Sequence, residues 1–307
     1  MTPVQHPAPD PIEEQLLAAA EQGRISALAA KGQRDLQQCA AGYPDLFPPR
    51  PFDPALFGNV AMAIAFGAPW CDEAALRITN RAVLWGFAVD WQVDYVAKSR
   101  EEIDLLTERC LAVADGATPA PDDPLGRFLA ELRDDLAATP AFERYRAVWR
   151  AELGRVLDAM AREWDWKQTT GADGAPGALP DLEAYLDNAD NLACTVVNVV
   201  HWIHAGDPVT LAHLDRLIEA SGVVQRILRL VNDLGTYERD LRWGDLNALL
   251  LVADRDEVPR RIGALVAQAR ELLTPLRETC PVQADYLARQ IGFSSGFYRS
   301  TDFWGAL

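Results

Sequence analysis

Apolar side chains recur at intervals of three and four residues along most of the chain, and that spacing predicts helices rather than strands. The stretch IEEQLLAAAEQGRISALAAKGQRDLQQCA, residues 12–40, reads as one long helix of good helix formers. YPDLFPPRPFDP, residues 43–54, then breaks the chain with a run of prolines. A proline-free block comes next over 72–114, carrying apolar residues at helical intervals from 71 to 90, and further helices are predicted over 123–137 and 142–167. TTGADGAPGALPD, residues 169–181, is punctuated by Gly and Pro. Helical blocks resume over 182–204 and 209–242, and then over 258–277 and about 282–290. No strand series, βα alternation or internal repeat interrupts this pattern. It predicts an all-α protein, a single domain of roughly ten helices over 11–307, with a Pro-rich disordered tail at 1–10.

Composition narrows the function classes. At 307 residues and 49% apolar, the chain can bury a sizeable core. Its 45 acidic side chains against 29 basic ones give a formal net charge of -16, which argues against nucleic acid or anionic lipid as a partner. No apolar run approaches the roughly 20 residues of a membrane-spanning helix, and the N-terminus lacks a secretory pattern, so the expected location is cytoplasmic. The five cysteines are scattered, odd in number and form no CxxC pair, which indicates neither a disulfide framework nor a zinc site. An anionic substrate would therefore need a local cluster of cations, or metal ions held by some of the carboxylates.

One segment suggests where. In RLVNDLGTYERDLRWGD, residues 229–245, Asn232, Thr236 and Asp240 recur every fourth residue, so one helix face carries an amide oxygen, a hydroxyl and a carboxylate. Such hard oxygen donors suit Mg²⁺, and Arg239 beside them could bind phosphate. On their own, three such residues also describe an ordinary solvated face. A second segment changes the picture: in VLWGFAVDWQVDYVAKS, residues 83–99, Asp90 and Asp94 lie four apart among Trp85, Phe87, Val89, Trp91, Val93 and Tyr95. Carboxylates buried among such neighbours are costly without a cation or a proton, and a polar cleft answers that cost.

DWQVD followed some 140 residues later by NDLGTYERD resembles the paired metal-binding motifs of class I terpene synthases, and the order and spacing match over most of the chain. The resemblance implies a helical bundle around a deep apolar cavity. It also implies metal binding by Asp90, Asp94, Asn232, Thr236 and Asp240, with Mg²⁺, three ions per site, holding the diphosphate of an isoprenoid substrate. Arg239 falls where the family often carries a diphosphate-binding basic residue, and GFYRSTDFW resembles its terminal Arg–Tyr pair, here inverted as Tyr298 then Arg299. Trp91 replaces the second aspartate of the first motif. Ala189 stands where a diphosphate-sensing arginine is common. Phe87, Trp91, Tyr185, Trp202, Phe297 and Trp304 are candidate cavity walls, aromatic faces suited to a carbocation, although each could equally be plain core.

This combination resembles bacterial diterpene cyclases acting on labdane-type substrates more than sesquiterpene cyclases, which implies a C20 diphosphate, linear or copalyl-type bicyclic. The resemblance also admits a homodimer. A trans-prenyltransferase shares the bundle but normally carries two DDxxD motifs, and a catalytically silent helical binding protein would leave the carboxylates solvated. Other chemistry finds little support. His201 and His204 lack the Glu-x-x-His pattern and read as core or capping residues, Asp122, Asp123, Asp134 and Asp135 read as solvated surface, and no phosphate loop, nucleophile elbow or dinucleotide fingerprint occurs.

Overall fold

A computed structural model describes residues 11–171 and 179–305, and every regular element among them is helical. The tail expected at 1–10 lies outside the described residues. The helices are α1 (Pro11–Ala41), α2 (Pro54–Gly67), α3 (Glu73–Trp91), α4 (Arg100–Ala114), α5 (Pro124–Ala137), α6 (Phe142–Gly171), α7 (Leu182–Asp187), α8 (Cys194–Ala205), α9 (Pro208–Ala212), α10 (Leu214–Trp243), α11 (Ala248–Leu251), α12 (Glu257–Thr279) and α13 (Pro281–Phe297). A wide π-type turn, Gln92–Val96, continues α3, and a 3₁₀ turn, Ala189–Leu192, precedes α8. Among the described residues no helix is long and apolar enough to cross a membrane.

Many helix starts share one device. Asp53, Asp72, Asp123, Asp181 and Asp207 each accept a hydrogen bond from the backbone N–H three residues on, at 2.8 to 2.9 Å, and proline follows three of them at the first helical position. An aspartate there satisfies an orphan donor and favours the helix dipole, for about 1 kcal/mol each. Part of the acidic excess thus serves as caps, Asp123 included. Asp134 pairs with Arg133 at 2.8 Å and Asp135 approaches Arg81 at 4.0 Å, in line with a surface role.

Several predicted blocks are subdivided. The 182–204 block breaks at Ala193, whose φ of 56° ends the 3₁₀ turn before α8 begins; a non-glycine residue rarely adopts that conformation, so nothing in the sequence marks it. The 209–242 block breaks at His213 into α9 and α10. Helix α2 was not expected at all: PALFGNVAMAIAFG is apolar on nearly every side because it is buried, leaving no polar face to reveal a period.

One large core runs through α1, α2, α3, α5, α6 and α8, and a second cluster joins α7, α10 and α12. His201 lies in the first, 3% exposed, with Nδ1 3.1 Å from Thr79 Oγ1 and its ring stacked 4.9 Å from Tyr286. Burial, helped by nearby His204, lowers its pKa to about 4. The unfolded chain therefore takes up the proton first. This stability is present above pH 6.5 and is lost as pH falls through about 4, amounting to about 3 kcal/mol. Urea titrations at stepped pH should show His201→Gln with a shallower acid loss than the parent; parallel curves would contradict the assignment.

Candidate active site

Seven helices reach a cavity of about 280 Å³, α2 through Ala63 and Ile64 and α7 through Tyr185. Helix α3 contributes Val83, Gly86, Phe87 and Asp90, spaced by three, one and three residues, so that they form a single stripe. Helix α6 contributes Met160, Glu163 and Lys167 by the same rule, and α10 contributes Leu228, Arg229, Asn232, Asp233, Arg239 and Asp240. Cys194, Val197 and Asn198 come from α8, and Gln290, Phe293 and Ser294 from α13. Beyond α13, Tyr298, Phe303 and Trp304 complete the wall.

Asp90 and Asp94 both face this space, Asp94 from the wide turn rather than from a continuing α-helix. Burial and then the neighbouring Asp94 charge push the Asp90 carboxyl well above the usual range. Burial also raises Asp94, to about 6, against the pull of Lys167. On α10, Asp240 is enclosed by donors: Oδ2 accepts from Thr236 Oγ1 at 2.6 Å and Asn247 Nδ2 at 2.8 Å, and Oδ1 accepts from Arg239 Nη2 at 3.0 Å. The Thr236 hydroxyl is also 2.9 Å from the Asn232 carbonyl, and its one proton can serve only one acceptor at a time. Thr236 is buried below the cavity surface and does not line it. Arg239 reaches Asp302 at 3.1 Å as well and lies 5.1 Å from the Trp243 ring, so the C-terminal segment and α10 share one guanidinium.

Other groups complete the polar wall. Arg229 is wholly buried, its Nη2 2.8 Å from Glu163 and its guanidinium 3.8 Å over the Tyr185 ring; Nη1 also bonds Asn191. The 3₁₀ turn that begins with buried Ala189 is therefore met by a guanidinium from α10. Tyr185 donates to Asp233 Oδ1 at 3.1 Å, and Asp233 Oδ2 accepts from the Ala248 N–H at 3.1 Å, which fixes α7 and α11 against α10. Lys167 Nζ lies 2.9 Å from Asp94 and 2.8 Å from Asp245.

Sequence reasoning missed Lys167, Asp245, Glu163 and Arg229. Arg229 had a signal, an arginine one turn before Asn232 in an otherwise apolar run; Lys167 had none.

Among the described residues no three His, Cys, Asp or Glu side chains gather as a metal cluster. Asp90 and Asp94 line one wall, while Asn232 and Asp240 line another. The donor set is nonetheless all oxygen, and a half-buried pair of neighbouring carboxylates favours a cation, so these residues fit Mg²⁺ with oxygens from a substrate completing its shell.

The family model for terpene synthase family 2, C-terminal metal binding, matches residues 81–261, a span that holds both walls. The chain belongs to the terpene synthases. It is a class I terpene synthase of the bacterial type. A curated ent-pimara-9(11),15-diene synthase from Streptomyces sp. (strain KO-3988) is 26% identical over 283 residues, covering 91% of this chain and 93% of the relative. A (+)-T-muurolol synthase from Roseiflexus castenholzii (strain DSM 13941 / HLO8) is 28% identical over 222 residues, 69% of this chain and 66% of the relative. Among solved structures, 2-methylisoborneol synthase from Streptomyces coelicolor A3(2), in complex with Mg²⁺ and geranyl-S-thiolodiphosphate, superposes with a TM-score of 0.67 at 17% identity, covering 98% of this chain and 96% of that one. The terpene cyclase fold expected from the sequence is thus the fold observed.

The geometry of this terpene synthase corrects four of the expected placements. Trp91, one residue past Asp90, is rotated about 100° away; it stacks on Tyr95 at 4.5 Å and lines an outer groove with Arg50 and Trp243. Trp202 is fully buried in the core, off the cavity wall. Phe297 packs behind the wall, 4.7 Å from Phe303, and Phe303 occupies the surface instead. Arg299 is exposed and lies outside the cavity, which Tyr298 lines. Phe87, Tyr185 and Trp304 do line it, although Arg229 already covers one face of the Tyr185 ring.

Proposed function

We propose that this terpene synthase ionises a C20 isoprenoid diphosphate, geranylgeranyl or copalyl-type, and cyclises or rearranges the resulting carbocation to a diterpene. The observation that carries the reading is the meeting of Asp90, Asp94, Asn232, Asp240 and Arg239 around one cavity that aromatic and aliphatic side chains also line. Asp90 and Asp94 on one wall, and Asn232 and Asp240 on the other, would hold Mg²⁺, three ions per site, while Thr236, expected among the ligands, lies behind the wall and fixes the Asp240 carboxylate. When bound, the metal supplies Lewis acidity and neutralises charge on the departing diphosphate. Arg239, fixed between Asp240 and Asp302, donates hydrogen bonds to the same anion. Tyr298, half-buried against the cavity with Asn232 as partner, orients it.

The rest of the wall governs the fate of the cation once the C–O bond has broken. Phe87 and Trp304 stand edge to face at 5.0 Å, and Phe87 and Phe303 lie 5.6 Å apart, so aromatic faces surround the space a cation would cross. No protein nucleophile is required for the C–O bond to break. The C20 assignment is supported by the nearly end-to-end match to a pimaradiene synthase, a pimaradiene being a C20 hydrocarbon, against the shorter match to the muurolol synthase. Chain elongation is disfavoured because α10 offers Asn232 and Thr236 where a second aspartate-rich motif would be needed.

Purified protein incubated with Mg²⁺ and separate C10, C15, linear C20 and bicyclic C20 diphosphates should yield a cyclic product from a C20 substrate only, and none without metal. Exclusive turnover of a C15 or C10 substrate would overturn the size assignment, and elongated diphosphates formed with isopentenyl diphosphate would overturn cyclisation.

A further inference from the structure

Lys167 reaches into the cavity mouth from the last turns of α6 and connects elements distant in sequence. Its ammonium is 2.9 Å from Asp94 on the wide turn and 2.8 Å from Asp245 just beyond α10, and Asp245 is also 3.2 Å from the Tyr95 hydroxyl. All three ionic side chains are largely covered, at 13, 18 and 19% exposure, so the contact is not an ordinary surface pair screened by water. Burial works against the lysine charge, yet the two carboxylates outweigh it and hold the ammonium protonated.

We propose that Lys167 is an internal stand-in for metal charge: it neutralises Asp94 and Asp245 in the metal-free chain and transfers to the diphosphate when metal and diphosphate bind together. This inference rests on the reading of Asp94 as a metal ligand. Three physical points carry it. First, with Asp90 also on this wall, Asp94 and Asp245 would crowd negative charge with no counter-ion nearer than Lys167, so the free chain needs a cation here. Second, an ammonium already seated on Asp94 repels a divalent ion at the same carboxylate, which weakens metal binding until an anion draws the ammonium away. Third, lysine suits such a transfer: it is a compact charge on a flexible four-carbon stem, and its position on the cavity wall puts it in the same space as Arg239 and Asn232, where the diphosphate is expected. Arg229 and Arg239 lack that freedom, being committed to Glu163 and to Asp240 with Asp302. Metal and diphosphate would then bind cooperatively, because each removes the obstacle to the other.

The test is calorimetric titration of the full chain with MgCl₂, with and without inorganic diphosphate. The parent should bind Mg²⁺ weakly alone and far more tightly with diphosphate. Lys167→Met should bind Mg²⁺ alone at least about tenfold more tightly than the parent, and the gain on adding diphosphate should shrink by a similar factor. Lys167→Arg should stay nearer the parent. The double variant Lys167→Met with Asp245→Asn removes one charge of each sign, so it keeps the mouth balanced if the single variant folds poorly, and it should show the same tightening. Unchanged or weaker Mg²⁺ affinity in the double variant, with cooperative binding intact in the parent, would overturn the role of Lys167 and leave the metal site standing. Absence of Mg²⁺ binding to the parent even with diphosphate would overturn both.

Discussion

Alanine at Asp90, Asn232 or Asp240 is expected to lower turnover by about a thousandfold, with helical content and cooperative melting retained. Each supplies an oxygen facing the cavity or its rim, and each is proposed to hold the metal that balances the departing diphosphate, a contribution no neighbour can replace. The stability changes should differ in sign, which separates a loss of chemistry from a loss of fold. Asp90 is a carboxylate the fold holds at a cost, raised by burial and by Asp94, so Asp90→Ala should melt at or above the parent temperature without metal. Asp240 is the acceptor for Thr236, Asn247 and Arg239, and Asp240→Ala removes it while the Asn232 carbonyl and Asp302 still serve Thr236 and Arg239, for a loss of about 1–3 kcal/mol. Kinetics with the preferred diphosphate and thermal melts of the same preparations check both. Near-full activity in any two of the three variants would remove the metal-site reading.

Gly235→Ala should be the second largest effect, and its direction contradicts what helix propensity alone would give. Gly235 is an exposed interior position of α10, where alanine should stabilise by about 1 kcal/mol. A methyl built there, however, meets the Tyr298 carbonyl oxygen at 2.5 Å and its Cβ at 3.0 Å. Those are atoms of the chain path rather than the end of a flexible side chain, so the segment after α13 must move. Because Tyr298, Phe303 and Trp304 form the cavity wall, and Asp302 holds Arg239, a shift of about 1 Å should lower kcat by about a hundredfold. Retained kcat together with a raised melting temperature would show that the C-terminal segment does not dock on α10.

Asp90, Asn232 and Asp240 lie where the sequence was most informative. The all-α fold was legible because its helices carry an apolar stripe of regular period. The Asn232, Thr236 and Asp240 ladder was legible because one unbroken helix preserves spacing as direction, and Asp90 with Asp94 because acidic groups among tryptophans demand explanation. What stayed hidden depends on relations that spacing does not encode. Lys167 and Asp245 are 78 residues apart and meet only when α6 packs beside the end of α10. Gly235 reads as a mild helix weakness until Tyr298 is seen against it. Arg299 and Trp91 were misplaced because spacing does not say which of two neighbouring residues the bundle turns inward; Tyr298 and Asp90 line the cavity and the residues after them do not.

The wide turn Gln92–Val96 has a further consequence for how this wall can be altered. Its closing bond runs from the Ala97 N–H to the Gln92 carbonyl at 2.8 Å, spanning one residue more than an α-helical bond. More residues are needed to come once around the axis, so Asp94 is swung back toward the side of Asp90, and Tyr95 toward Trp243, 5.6 Å away. The turn acts as a spacer of fixed length. Changing a side chain within it leaves that aim untouched, whereas removing a single residue would return the segment to ordinary winding and turn everything after it by about 100°. Apart from Asp94 and Tyr95, whose side chains face the cavity, the composition of 92–96 is therefore open to exchange, but its length is not.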